Sequence, residues 1–317
     1  MYRVGIDLGG TNIAVGVVAD DYTIVGRGSV KTNLPRSAEE IAEDMAKTVL
    51  SVLEQANIGI DDIECVGIGS PGAINPKTKI IAYANNLRFH HVPLAQMLED
   101  RLHKECYIEN DANAAAYGEY IAGCGRGSKN FVAVTLGTGV GGGIIVDNKI
   151  YSGSNYAGGE LGHTVINADG IPCSCGRIGC FEAYASASAL IAQTKASMLI
   201  NQDSKMWYLC DENIDNASGH TAFDAMRMGD GAAKDVVNKY LYYLSVGLSN
   251  IVNIFQPEII CLGGGIANEK DNIIKPLKRL LAYGNCAKEM MPVTDVKAAT
   301  LGNDAGIIGA AFLKSQF

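Results

Sequence analysis

The sequence predicts an α/β protein built as two domains of related topology. Three observations predict it. At 317 residues the chain is about twice the length of an ordinary domain and can bury a sizeable core. A strand, glycine turn, strand design occurs twice, over Tyr2–Ala19 and again over Phe131–Ile150. Between and after these hairpins, short β-rich runs alternate with segments whose apolar residues recur at helical spacing.

Composition narrows the class. Hydrophobic residues make up 48% and charged residues 19%, which excludes a disordered chain. The formal net charge of −8 argues against nucleic acid or an anionic membrane as partner. Glycine is abundant, 37 residues with no collagen-like period, so the excess belongs to tight turns and ligand loops. No apolar run approaches the ~20 residues of a membrane helix. The start, MYRVGIDLGG, reads as a strand, without the basic and apolar segments of a secretory signal. Nine cysteines in that context are not a disulfide framework. The expectation is a soluble cytoplasmic protein of enzyme size.

Each element has its local reason. Tyr2–Asp7 and Thr11–Ala19 are strands joined by a turn at Gly9-Gly10, with a third strand over Thr23–Lys31. Ser37 followed by Glu39 and Glu40 is a helix start, and Ile41, Met45, Val49 and Leu53 give that helix its buried face. Glu64–Gly69 is a buried strand ending in the Gly69-Ser70-Pro71-Gly72 turn. Val92–Leu102 is helical, Cys106–Glu109 a strand, and Asp111 opens an alanine-rich helix to about Ile121. Phe131–Leu136 and Ile144–Ile150 are strands flanking the Gly137–Gly143 turn. Tyr151–Cys180 is irregular, and Asn201–Gly219 is expected to be a polar surface excursion. Ala232–Phe255 is a long amphipathic helix stopped by Pro257, Glu258–Leu262 a strand running into Gly263-Gly264-Gly265, and Asp304–Leu313 a closing helix.

The glycine loops do not fit a dinucleotide fingerprint. Gly137-x-Gly139-x-x-Gly142 and Gly67-x-Gly69-x-x-Gly72 match its spacing, but the mechanism needs a helix N-terminus directly after the glycines. Here the first is followed by Ile144-Ile145-Val146 and the second contains Pro71. Either turn alone reads equally well as an ordinary hairpin. Two in matching positions, each with a threonine (Thr11 and Thr138), point to backbone amides that cradle a nucleotide's phosphates.

DLGGTN at Asp7–Asn12, LGTGVGGG at Leu136–Gly143 and LGGGIA at Leu262–Ala267 resemble the three nucleotide-binding segments of the ROK family of repressors and sugar kinases, over almost the whole chain. The resemblance implies two ribonuclease H-like domains of the actin-like ATPase fold with a cleft between them. Residues 1–120 plus 303–317 would form the first domain, and 121–302 the second, with the metal loop and most of a dimer surface. It implies that Asp7 helps hold Mg²⁺ and that Gly9, Gly10, Thr11, Asn12, Gly137, Thr138 and Gly139 cradle ATP phosphates. Gly263, Gly264 and Gly265 would face the adenosine.

Glu109-Asn110-Asp111-Ala112-Asn113-Ala114 lies at a strand-to-helix junction, where an aspartate is ordinarily a helix cap. The segment resembles the family's catalytic motif, which implies that Asp111 takes the proton of a sugar hydroxyl as it attacks the γ-phosphate. The helix start is expected to keep it ionised. The resemblance assigns hexose contacts to Ser70, Pro71, Gly72, Asn86, Asn110, Glu160, His163 and Glu182. Of the adjacent Asn85 and Asn86, only one should point inward, and Asn86 is the better match.

His163, Cys173, Cys175 and Cys180 supply one imidazole and three thiols within eighteen residues, a donor set suited to a closed, structural Zn²⁺ site. Glu160 stands three residues before the first ligand and Glu182 two after the last, so zinc is expected to pin both carboxylates. Its loss should hurt sugar affinity and folding before ATP binding. Cys65, Cys106, Cys124, Cys210, Cys261 and Cys286 are expected to be small core residues.

The activity implied is ATP-dependent phosphorylation of a hexose at the 6-hydroxyl, glucose first, with N-acetylmannosamine, N-acetylglucosamine or another hexose as the alternative. A sugar-responsive repressor would carry a helix-turn-helix domain ahead of a segment that here begins at Asp7. An actin- or Hsp70-like ATPase would not need the metal loop. Homodimers or homotetramers are the expected assembly.

Overall fold

The computed structural model describes residues 1–284 and 294–317, and the chain is mixed α/β. Cys286 lies outside the described residues. Two compact units emerge: Met1–Lys129, Gly143–Gly159 and Thr300–Phe317 form one, and Asn130–Gly142 with Glu160–Ala299 the other.

The first unit opens with β1 (Tyr2–Leu8), β2 (Asn12–Ala19) and β3 (Ile24–Lys31), then α1 (Ala38–Gln55). The helix starts as expected. Ser37 accepts the Glu40 amide while Glu40 accepts the Ser37 amide, a reciprocal cap that satisfies two backbone donors. β4 (Ile63–Ser70) follows, then the short strands β5 (Ala73–Asn75), β6 (Ile80–Ala84) and β7 (Phe89–Val92), which form a separate three-stranded sheet. Next come α2 (Leu94–Leu102), β8 (Cys106–Asn110) and α3 (Asp111–Ile121). The main sheet has the order β3-β2-β1-β4-β8, antiparallel across β3, β2 and β1 and parallel across β1, β4 and β8.

Strand alternation sorts β1 into two faces. Val4, Ile6 and Leu8 are wholly buried in a cluster with Ile41, Met45 and Val49 of α1. Gly5 and Asp7 point the other way, toward the C-terminal helix. A Cβ on Gly5 would stand 1.9 Å from the Ile307 carbonyl oxygen, and one on Gly67 1.7 Å from that of Ala310. Glycine at these strand positions admits the helix backbone directly onto the sheet, and Asp7 is carried beneath it.

The second hairpin is β9 (Phe131–Leu136) and β10 (Val140–Val146), followed by β11 (Lys149–Ile150). The single strand expected over Ile144–Ile150 is therefore two. Its glycines 141–143 already belong to β10, and Asp147-Asn148, with φ of 49° and 66°, make the two-residue turn that splits it. The helices α4 (Phe181–Ala185), α5 (Ala187–Ile200), α6 (Lys205–Leu209), α7 (Thr221–Arg227) and α8 (Gly231–Phe255) come next. They lead to β12 (Ile259–Gly263), α9 (Asp271–Gly284), β13 (Asp295–Ala298) and α10 (Asp304–Ala311). The second sheet reads β11-β10-β9-β12-β13, the strand order of the first.

Asn201–Gly219 is no mere surface excursion. It contains α6 and a short 3₁₀ turn, and Met206 and Cys210, four residues apart, are fully buried. The long helix α8 is capped by Asp230, which accepts the Ala233 amide at 2.8 Å and also the Ser204 hydroxyl. Cys65, Cys106, Cys210 and Cys261 are buried as expected, whereas Cys124 is half-buried. Among the described residues no helix is long and apolar enough to cross a membrane.

Candidate active site

In the first unit, register alone gathers the acidic residues. Asp7 pairs with Gly69, and Gly69 with Glu109, so the C-terminal ends of β1, β4 and β8 lie side by side. Such strand ends are where α/β sheets bind ligands. Asp111 follows as the first residue of α3. Asn110, not Asp111, caps this helix: its Oδ1 accepts the Ala112 and Asn113 amides at 3.0 and 3.2 Å, and its Nδ2 donates to the Gly72 carbonyl at 3.1 Å. That last bond ties the Ser70–Gly72 turn to the helix start. Asp111 is thereby released from capping and keeps one local bond, from the Ala112 amide at 2.8 Å.

Burial, rather than the helix start, dominates its charge. Desolvation pushes the Asp111 carboxyl above the ordinary aspartate range, and the Ala112 amide only partly offsets this. Asp7 is pushed up to about 6, first by burial and then by repulsion from Asp111. Glu109, which the sequence reading passed over, is also buried and raised by desolvation, while accepting the Asn110 amide and the Asn113 side chain. It opens the Glu109–Ala114 segment at the strand end, where Asn110 and Asp111 alone drew a role. A half-buried carboxylate pair, with Asp111 repelling Asp7, suits a divalent cation, whose charge offsets both the repulsion and the desolvation.

The remaining expected residues of this unit are placed less centrally. Ser70 and Pro71 are buried, and the Ser70 hydroxyl turns back to the Pro71 carbonyl at 3.3 Å. Asn85 and Asn86 are both exposed, in the turn between β6 and β7. The Gly9-Gly10-Thr11 turn is closed by a Gly9 amide bond to the Asn12 carbonyl. It is braced by the fully buried Thr32, whose hydroxyl donates to the Gly9 carbonyl at 2.7 Å and whose amide donates to that of Thr11 at 2.9 Å. No pattern in the sequence marked Thr32.

The second unit holds the metal-type cluster. Two antiparallel bridges, Val165 with Cys180 and Pro172 with Ile178, fold the glycine-rich loop onto itself. The inner one closes a turn in which the Cys173 amide donates to the Arg177 carbonyl at 2.8 Å. Buried Tyr184 of α4 accepts the Ile171 amide at 2.8 Å and anchors the loop to the helix. The result brings His163, Cys173, Cys175 and Cys180 together with ligand atoms all within 4.8 Å of one another. Cys175 Sγ lies 3.7 Å from Cys180 Sγ, and Cys173 Sγ 3.8 Å from His163 Nδ1. Zinc bound tetrahedrally at its usual ~2.3 Å Zn–S distance sets sulfurs about 3.8 Å apart, so the donor set fits.

Glu160 is exposed at the start of the 3₁₀ turn Leu161–His163. Glu182, two residues past Cys180, reaches the other way. Its Oε2 accepts the Val140 amide at 3.0 Å, just beyond the Gly137-Thr138-Gly139 turn, and its Oε1 accepts the Ser174 hydroxyl at 3.1 Å. Thr138, Gly139, Cys173, Ser174, Glu182 and Ser186 help line a cavity of ≈ 580 Å³. Gly263 ends β12 in register with Thr135, while Gly264 and Gly265 are exposed in the following turn.

Comparison with known proteins identifies the family. The family described as ROK matches residues 3–316. A glucokinase of Streptomyces coelicolor is 38% identical, over 99% of this chain and 97% of its own, and one of Thermotoga maritima 35%, over 97% and 95%. The crystal structure of a ROK family glucokinase from Streptomyces griseus, in complex with glucose and AMPPNP, superposes with a TM-score of 0.80 at 34% identity and covers all of both chains. With sheets, acidic strand ends and cysteine loop all in place along its length, the chain belongs to the ROK family, on the actin-like ATPase fold.

Proposed function

We propose that this protein is an ATP-dependent hexose kinase that phosphorylates glucose at the 6-hydroxyl. The observation that carries the reading is Asp111, a half-buried, desolvated carboxylate beside Asp7 whose capping duty has passed to Asn110. Full-length similarity to glucokinases supports the substrate.

In this reading the O6 hydroxyl faces Asp111 and attacks the γ-phosphorus in line. The O6–P bond forms as the bond from the γ-phosphorus to the β,γ-bridging oxygen breaks, its electron pair leaving on ADP, and the hydroxyl proton passes to Asp111. A base whose affinity for the proton has been raised by burial takes it more readily than an ordinary aspartate. Asp7 would hold Mg²⁺, which when bound supplies charge neutralisation for the phosphates. The turns Gly9–Asn12 and Gly137–Gly139, whose Gly9 and Gly137 amides close the turns themselves, would cradle those phosphates with amides further along, and Gly263–Gly265 would face the adenosine. Glu160, Glu182, Asn110, Asn86 and the Ser70–Gly72 turn read the hexose hydroxyls. His163, Cys173, Cys175 and Cys180 would hold zinc as a structural ion, with His163 giving it one ring nitrogen and keeping the other for the sugar. The reading carries with it a cytoplasmic setting, where thiols stay reduced, and assembly as a homodimer or homotetramer.

A coupled ADP-release assay across glucose, mannose, N-acetylmannosamine, N-acetylglucosamine, allose and fructose tests it. Glucose is expected to give the highest kcat/KM. Asp111→Asn should lower kcat by about 10²- to 10⁴-fold while glucose affinity stays within a few-fold. Substantial turnover in that variant removes Asp111 from the role of base.

A further inference from the structure

We propose that Glu182 is a positioning residue that ties the cysteine loop to the Gly137–Gly139 turn, so that this loop shapes the nucleotide side of the site as well as the sugar side. The proposal rests on the reading of that turn as a phosphate cradle.

Four contacts argue for it. Glu182 Oε2 accepts the Val140 amide at 3.0 Å, so the residue that ends the turn is held by a carboxylate from α4. The other oxygen accepts the Ser174 hydroxyl at 3.1 Å and lies 3.7 Å from Cys173 Sγ, placing the loop on the opposite side of the same group. A Cβ on Gly139 would stand 2.3 Å from Oε2, so the turn is shaped around the carboxylate. The same segment grips the turn again where the Ala187 amide donates to the Gly137 carbonyl at 2.8 Å. A carboxylate accepting an amide and a hydroxyl makes charge-assisted bonds, stronger than neutral ones. Glu182 spans 42 residues of chain to reach Val140, and adds to the bond from the Gly137 amide to the Gly139 carbonyl at 3.0 Å that the turn makes within itself.

The test compares wild type with Glu182→Ala, Glu182→Gln and Ser174→Ala. Titration calorimetry measures AMPPNP·Mg²⁺ affinity without sugar and glucose affinity without nucleotide. Metal content and amide exchange at residues 138–140 are followed in parallel. Glu182→Ala should weaken AMPPNP binding about tenfold or more and speed exchange at those amides, with metal retained. Glu182→Gln, which keeps an acceptor for the Val140 amide, should recover most of the loss. Ser174→Ala, on an exposed residue, should weaken binding about two- to threefold with glucose affinity unchanged, and it decides the matter if Glu182→Ala does not fold. Unchanged nucleotide affinity and exchange in Glu182→Ala, whatever happens to glucose, overturns the proposal. Wild-type protein that fails to bind AMPPNP overturns the underlying kinase reading instead, and exchange at residues 138–140 still decides whether Glu182 holds the turn.

Discussion

The turns at Gly9–Thr11 and Gly137–Gly139 occupy the same place in two sheets of one strand order, yet different chemistry holds them. The first is braced by its own sheet: Thr32, one residue beyond β3, gives its hydroxyl and its amide to the turn's carbonyls. The second is held by a charged group 42 residues away, next to a loop whose four clustered donors fit a metal ion. The two turns thus share a place in the strand order and differ in their support. The first turn is held from its own sheet, while the second is held from α4 and α5, through Glu182 and the Ala187 amide.

The largest expected effect separates the two at once. Cys175→Ser removes one of four metal donors from an exposed position. The variant should lose its metal, raise the glucose KM on the order of tenfold to a hundredfold through Glu160 and His163, and raise the ATP KM through Glu182. Amide exchange should accelerate at residues 138–140 and stay slow at 9–11. A metal-free, folded variant with wild-type sugar affinity would show that the loop does not position the sugar carboxylates.

A middle effect comes from pH and touches the first unit. Because the Asp7 carboxyl titrates near 6, above the ordinary aspartate value, acidification below 6 protonates it and should weaken Mg²⁺ binding by about tenfold per unit. The sign for stability is opposite. A carboxyl whose folded pKa is raised favours the protonated native state, so metal-free protein should gain stability as pH falls from 6 toward 4. Urea melts of wild type and Asp7→Asn across that window check it, with the gain smaller in the variant, where Asp111 and Glu109, also raised by burial, still contribute.

The smallest effect is Thr32→Val, which removes only the hydroxyl bond to the Gly9 carbonyl. A loss of about 1 kcal/mol in urea melts is expected, with a two- to threefold rise in ATP KM and no change in metal content. A collapse of nucleotide binding would mean that the first turn is no sturdier than the second.

Much of this was legible in residue order. The hairpins declare themselves by alternation broken at glycine, α1 by Ser37 and Glu40, and α8 by an apolar stripe stopped at Pro257. The four metal donors are dense enough to be seen without a fold. Other features were hidden for physical reasons. The strands β5–β7 are three to five residues long, too short for a period to register. Met206 and Cys210 are buried within a polar stretch whose composition says surface. Asn110 and Asp111 are both good caps, and only the bend between β8 and α3 decides which side chain turns back to the helix amides.

What residue order determined by itself is local: glycine where the chain must turn or admit another backbone, apolar spacing that sets helix or strand, and thiols clustered where a soft ion can bind. What the tertiary structure decided is non-local. It set Asp7 beside Asp111 by strand register, lifted both out of the ordinary aspartate range by burial, and turned Glu182 toward the Val140 amide. Charge and hydrogen bonding depend on distance through space, and folding sets distances that spacing along the chain does not contain.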